Sequence, residues 1–231
     1  MSGNLEAARP AFITGAARGL GKAIAVELAK AGHSLYLVDI LGDLLEETAA
    51  ELRAAGHDVA TRTVDVSQRQ QCLDAVADCA DRFGGLAVLV NCAAIVRFDH
   101  FTDLPEEAWN RTLAVNLSGP FFLTQAALPH IIAAKGNVVN VASSNGLMGT
   151  PYTAAYSATK AALINLTKTL AMEYSEEPIR VNAVCPGPMA TEIGAQMRPP
   201  ATIRHEKIVR YSGTRGLADP ARIGELGLTG T

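Results

Sequence analysis

Ala11-Phe12-Ile13-Thr14-Gly15-Ala16-Ala17-Arg18-Gly19-Leu20-Gly21 is the stretch that decides how the chain folds. A short apolar run, Ala11–Thr14, ends in a glycine-rich turn, and residues with helical apolar spacing, Leu20–Ala31, follow at once. In the order strand, glycine turn, helix, such a turn brings backbone close to a ligand phosphate, and the helix N-terminus offers free amides and positive potential. The spacing is GxxxGxG without a lysine followed by Ser or Thr, so it is not a P-loop. A tight turn packed on the sheet is the plain structural alternative. On the phosphate reading, Gly15, Arg18, Gly19, Leu20 and Gly21 are candidate dinucleotide contacts.

Outward from this turn, two textures alternate. Short apolar runs at Ser34–Val38, Val59–Val64, Leu86–Val90, Asn137–Ala142 and Ile179–Val184 read as strands buried on both faces. Between them, Leu44–Ala55, Gln70–Phe83, Glu106–Ala134 and Ala154–Tyr174 carry helical spacing. Gly32 and Gly56 follow their helices as left-handed caps, and Pro105 with Glu106 and Glu107 opens the long central helix. The alternation predicts an α/β, Rossmann-like, doubly wound parallel sheet with strand order 3-2-1-4-5-6. Residues 1–231 read as a single domain in which 186–231 form an atypical substrate-side segment.

Composition narrows the classes. The chain has 231 residues, 48% hydrophobic and 19% charged, with a net charge of −3. It can bury a core and shows no basic excess for nucleic acid. No apolar run reaches membrane-spanning length, and the N-terminus has no signal-peptide pattern, so a soluble cytoplasmic protein is expected. Four scattered cysteines suit a reduced compartment rather than a disulfide scaffold. Five histidines without HxxxH or HxH spacing give no metal site. No serine stands in GxSxG, which disfavours a hydrolase.

Chemistry gathers at the predicted carboxyl ends of strands, where open α/β sheets bind ligands. Asp39 ends the second strand 18 residues past Gly21, near the position of an acid that binds adenosine ribose hydroxyls. Its charge would repel a 2′-phosphate, which favours NAD and leaves NADP as the secondary expectation, with Arg18 beside a phosphate. A helix cap is the alternative role for Asp39. Asp65-Val66 closes the third strand and Asn91-Cys92-Ala93-Ala94 the fourth, which makes Asp65, Val66, Asn91 and Ala93 candidate cofactor contacts. Tyr156 and Lys160 stand four apart on one helix face, so a phenol and an ammonium can converge. A nearby cation favours phenolate, and a phenol so tuned can exchange a proton with an alcohol or ketone. Ser143 closes the fifth strand and can hydrogen-bond a substrate oxygen beside that phenol. Asn116 sits in an apolar helix, where its amide either bonds a neighbouring backbone or holds a water.

These residues together resemble the short-chain dehydrogenase/reductase family from about Ala11 to Thr191. The Thr14–Gly21 turn is similar to that family's TGxxxGxG, Asp65 to its adenine-side aspartate and Asn116 to its active-site asparagine. Ser143, Tyr156 and Lys160 resemble its catalytic residues, and Pro186-Gly187 through Thr191 its PGxxxT stretch. The resemblance implies hydride transfer between a nicotinamide and a small secondary alcohol or ketone. It also implies that Tyr156 and Lys160 touch the cofactor, that Pro186, Gly187 and Thr191 lie at the nicotinamide, and that the chain forms a homo-oligomer, a tetramer or dimer. Two departures stand out. Ala94 replaces the last glycine of NNAG, and the chain ends after Gly224–Thr231 without the usual last strand. The second makes a non-catalytic nicotinamide-binding or structural protein with an incomplete substrate site the alternative reading.

Overall fold

The computed structural model describes residues 9–189, 199–204, 206–208 and 220. Six parallel strands are β1 (Ala11–Thr14), β2 (Leu35–Asp39), β3 (Val59–Thr63), β4 (Val88–Asn91), β5 (Asn137–Val141) and β6 (Arg180–Val184). Their order is β3-β2-β1-β4-β5-β6, as the alternation predicts. β1, β4 and β5 are buried at every position, which is why they read as unbroken apolar runs. β3, at the edge, carries the polar run Thr61-Arg62-Thr63. The region of the expected missing strand lies outside the described residues.

Alternate side chains of each strand feed two separate cores. Ala11 and Ile13 pack with α1 (Gly19–Lys30) and α2 (Gly42–Ala54) through Ile24, Leu28, Leu45 and Leu52. Phe12 points the other way and stacks on Tyr36, with centroids 5.3 Å apart, beneath α3 (Arg69–Phe83). Cys72 and Cys79 belong to this second core, and burial pushes their thiols up to about 11 and about 12. Gly32 and Gly56 take φ of +88° and +91° and close their helices as expected. His33 N–H donates to Leu28 C=O, and His57 N–H to Leu52 C=O.

The helix expected over Glu106–Ala134 is two helices. α4 (Glu106–Leu113) passes into a π-turn, Ala114–Ser118, and then into α5 (Gly119–Ala133). Gly119 N–H donates to Ala114 C=O, five residues back. Pro120 has no N–H to give the Asn116 carbonyl, so the α pattern cannot run through this point. A Cβ on Gly119 would stand 2.7 Å from the Val66 carbonyl oxygen. The glycine therefore lets the widened turn press on the end of β3. Two short elements precede α7 (Ala154–Glu173): a 3₁₀ turn at Phe101–Asp103 and α6 (Asn145–Met148).

Candidate active site

A cavity of about 560 Å³ runs across the carboxyl ends of the strands. Its volume falls within the range of about 300–1,000 Å³ usual for ligand sites. Strand order gives it two ends. Asp39 ends β2 and Val64 and Asp65 follow β3, whereas Ser143 and Pro186-Gly187 follow β5 and β6.

The glycine turn sits where the chain crosses from one half of the sheet to the other, between β1 and its neighbours β2 and β4. Gly15 has φ of +69°, and a Cβ there would lie 2.9 Å from Ala93 Cα. A Cβ on Gly21 would lie 2.0 Å from the Gly15 carbonyl oxygen, an impossible approach, so α1 can pack on the turn only through glycine. α1 begins at Gly19 with no acid in its first turn, which leaves its positive end unneutralised. Thr14 ties the turn to β4, because its hydroxyl oxygen accepts from the Cys92 and Ala93 amides at 2.8 and 2.9 Å. Lys135 and Tyr152 are the non-glycine residues with positive φ among those described. Ala94 is therefore in ordinary backbone, and its departure from glycine carries no strain.

Asp39 joins the cavity lining to the backbone around it. It lines the cavity, while Oδ2 accepts from Ala17 N–H at 3.1 Å and Oδ1 from Leu41 N–H at 3.0 Å. The carboxylate thus braces the glycine turn and the residue before α2. Asp65 is held as firmly. Arg111 Nη1 donates to its Oδ2 at 3.0 Å, and Ser67 donates N–H and hydroxyl to its Oδ1 at 3.0 and 2.8 Å. Burial pushes this carboxyl up, but the Arg111 and Ser67 hydrogen bonds outweigh it and hold it below the usual range.

At the other end, Ser143, Tyr156 and Lys160 meet. Gly146 brings the α6 turn against α7, since a Cβ there would stand 2.6 Å from the Lys160 carbonyl carbon. The Ser143 hydroxyl lies within hydrogen-bonding reach of the phenol and accepts from Asn145 N–H at 3.1 Å. Burial pushes the Tyr156 phenol above its ordinary value, and the Ser143 hydrogen bond offsets part of that. The Lys160 nitrogen lies 5.6 Å from the phenol ring centroid and donates to Val141 C=O at 2.7 Å. Burial pushes its pKa down to about 8. The phenol is thus raised, not lowered by Lys160 as expected, because desolvation disfavours both charged forms.

Ser143, Tyr156, Lys160, Pro186 and Gly187 all line the cavity, as do Gly15, Arg18, Gly19, Leu20, Gly21, Asp39, Asp65, Val66 and Ala93. Asn91 and Asn116 do not line it. The Asn91 amide donates to Asn140 Oδ1 at 2.8 Å and to Thr124 Oγ1 at 3.2 Å, behind the wall. Asn116 settles its open choice in favour of backbone. Its Oδ1 accepts from Ile95 N–H and its Nδ2 donates to Ile95 C=O, both at 2.9 Å. It clamps the chain leaving β4. Thr191 lies outside the described residues. Arg111 was not foreseen, because 46 residues separate it from Asp65 and nothing local marks it.

The chain matches the family model for short chain dehydrogenase over residues 9–201. It is 38% identical over 226 residues to oxidoreductase UcpA of Salmonella typhimurium, covering 94% of this chain and 85% of that one. It is 34% identical over 228 residues to D-beta-hydroxybutyrate dehydrogenase of Rhizobium meliloti, covering 96% and 83%. A short chain dehydrogenase from Mycobacterium paratuberculosis, solved bound to NAD, superposes with a TM-score of 0.86 at 27% identity, covering 94% and 89%. Among the described residues, no helix is long and apolar enough to cross a membrane.

Proposed function

The chain belongs to the short-chain dehydrogenase/reductase family of NAD(P)-dependent oxidoreductases, and from that premise we propose that it interconverts a small secondary alcohol and its ketone with NAD(H), using Tyr156 as general acid/base. The observation that carries this is one cavity with a glycine cradle and an acid at one end and Ser143, Tyr156 and Lys160 at the other. The cradle fits a dinucleotide, since Arg18, Gly19, Leu20 and Gly21 at the start of α1 line the cavity and no acid in the first turn neutralises that helix end.

The bound nicotinamide would supply the hydride acceptor or donor. Gly15, Arg18, Gly19, Leu20 and Gly21 hold the pyrophosphate at the start of α1. Asp39 accepts the adenosine ribose hydroxyls and repels a 2′-phosphate, so NAD binds better than NADP. Asp65 and Val66 face the adenine, and Ala93, Pro186 and Gly187 line the nicotinamide side. Ser143 hydrogen-bonds the substrate oxygen and turns it toward the phenol. Tyr156 then gives its proton to that oxygen in reduction, or takes one in oxidation. A buried phenol is neutral at pH 7, the form that reduction needs. Lys160, when protonated, favours phenolate through its charge and holds the nicotinamide ribose. Asn116 acts through position: its side chain fixes Ile95, and Pro120 denies its carbonyl the usual helical donor.

Replacing Tyr156 by Phe keeps the ring and removes the proton. Turnover on any ketone that the enzyme reduces should fall about 10²–10⁴-fold. NADH binding, followed by fluorescence titration, should persist. Near wild-type turnover by the Phe variant would remove Tyr156 from the mechanism.

A further inference from the structure

The cavity is divided by charge. The side of β1 to β3 carries Arg18, Asp39 and Asp65, with Arg111 reaching in from α4. The side of β4 to β6 has a different lining. Val96 and Phe98 follow β4, Met189 follows β6, and Ile208 lines the same cavity. Asn145, which opens α6, and Thr150, which follows it, are neutral polar groups. The Val96–Phe98 wall is fixed at both ends, by the Asn116 clamp on Ile95 and by the Asp99 N–H donating to Tyr152 C=O at 2.9 Å. Among the described residues lining this end, Lys160 is the one Lys, Arg or His, and its ammonium is already turned to the Val141 carbonyl.

Against these described residues a carboxylate or phosphate would shed its hydration without gaining a cation, whereas an alkyl chain or ring would only release water. We propose that the site takes an uncharged secondary alcohol or ketone with an apolar body against Val96, Phe98, Met189 and Ile208, and that it rejects substrates carrying a carboxylate or phosphate. Asn145 and Thr150 can serve one further neutral oxygen. This substrate class rests on the reading of Ser143 and Tyr156 as the reaction end.

The test is a pair of substrates that differ in charge and little else: methyl 4-oxocyclohexanecarboxylate and the 4-oxocyclohexanecarboxylate anion, each reduced with NADH. The expected kcat/KM for the ester exceeds that for the anion at least 100-fold. Phe98→Arg, which adds a cation to the wall, should narrow that ratio at least tenfold. An anion turned over as well as the ester, or a ratio unmoved by Phe98→Arg, overturns the proposal. Thermal shift with NADH-saturated protein separates this from failure of the catalytic reading. If neither compound is reduced but the ester alone raises Tm, the apolar end stands and the assigned chemistry is wrong. If the anion raises Tm as much as the ester, or neither does, the apolar end is wrong.

Discussion

Asp39→Asn asks one carboxylate to account for two observations at once. Its two oxygens each accept a backbone amide, Ala17 N–H at 3.1 Å and Leu41 N–H at 3.0 Å. Asparagine keeps one acceptor, so one of those amides must face an amino group instead. A hydrogen bond to a charged group contributes about 1.5–3 kcal/mol, and partial exposure of Asp39 puts the loss at the lower end, about 1–2 kcal/mol. For a chain of this length, each 1 kcal/mol moves Tm by about 2–4 °C, so the apoprotein should melt about 2–8 °C lower. The same change removes the charge facing the ribose. The ratio of NADP(H) to NAD(H) affinity should therefore rise at least about tenfold, or ~1.4 kcal/mol. Differential scanning fluorimetry reads the first effect, and fluorescence titration with NADH and NADPH the second. If Tm falls and cofactor preference stays the same, Asp39 is a strut for the glycine turn and no more. If preference changes while Tm holds, the two amide bonds carry no net stability.

Arg111→Met should raise KM for NADH several-fold, leave kcat near wild type, and leave KM for reduced nicotinamide mononucleotide unchanged, because that cofactor has no adenine for Asp65 to meet. Equal weakening with both cofactors would mean general damage instead. Lys160 gives a pH dependence. Its folded pKa of about 8 lies below the ordinary 10.5, so between those values the folded apoprotein binds fewer protons than the unfolded chain, and the cost of burying the ammonium lifts as pH rises. Wild-type Tm should gain on that of Lys160→Met from pH 8 to 10. A constant difference across that window would show that the amine is not desolvated as the structure has it.

Local sequence carried the sheet well, for a physical reason. β1, β2, β4 and β5 are buried at every or nearly every position, and their apolar runs stop where burial stops, so the expected limits fall within a residue or two of those observed. The glycine turn was legible because its steric demands are local. The break between α4 and α5 was not read. Apolar spacing continues through Ala114–Ser118, and the one local sign, Gly119-Pro120, looks like an ordinary helix interruption. The couplings of Asp65 to Arg111 and of Asn116 to Ile95 depend on which helix crosses which strand end, a tertiary matter that no spacing encodes. The short helix Asn145–Met148 hid in a Ser-Ser-Asn-Gly stretch whose composition says turn.

The π-turn also bears on how this part of the chain can change over generations. It holds one residue more than an α-turn, and that extra residue sets the phase between the Asn116 clamp and the face of α5 that buries Leu123, Ala127 and Ile131. Substitution inside 114–118 disturbs one side chain. Removal of a residue there would turn everything beyond it by roughly 100°. Either the clamp on Ile95 or the apolar face of α5 would then swing away. Outside Asn116, and Val115 where the segment meets the cavity, it should therefore accept point changes far more readily than changes in length.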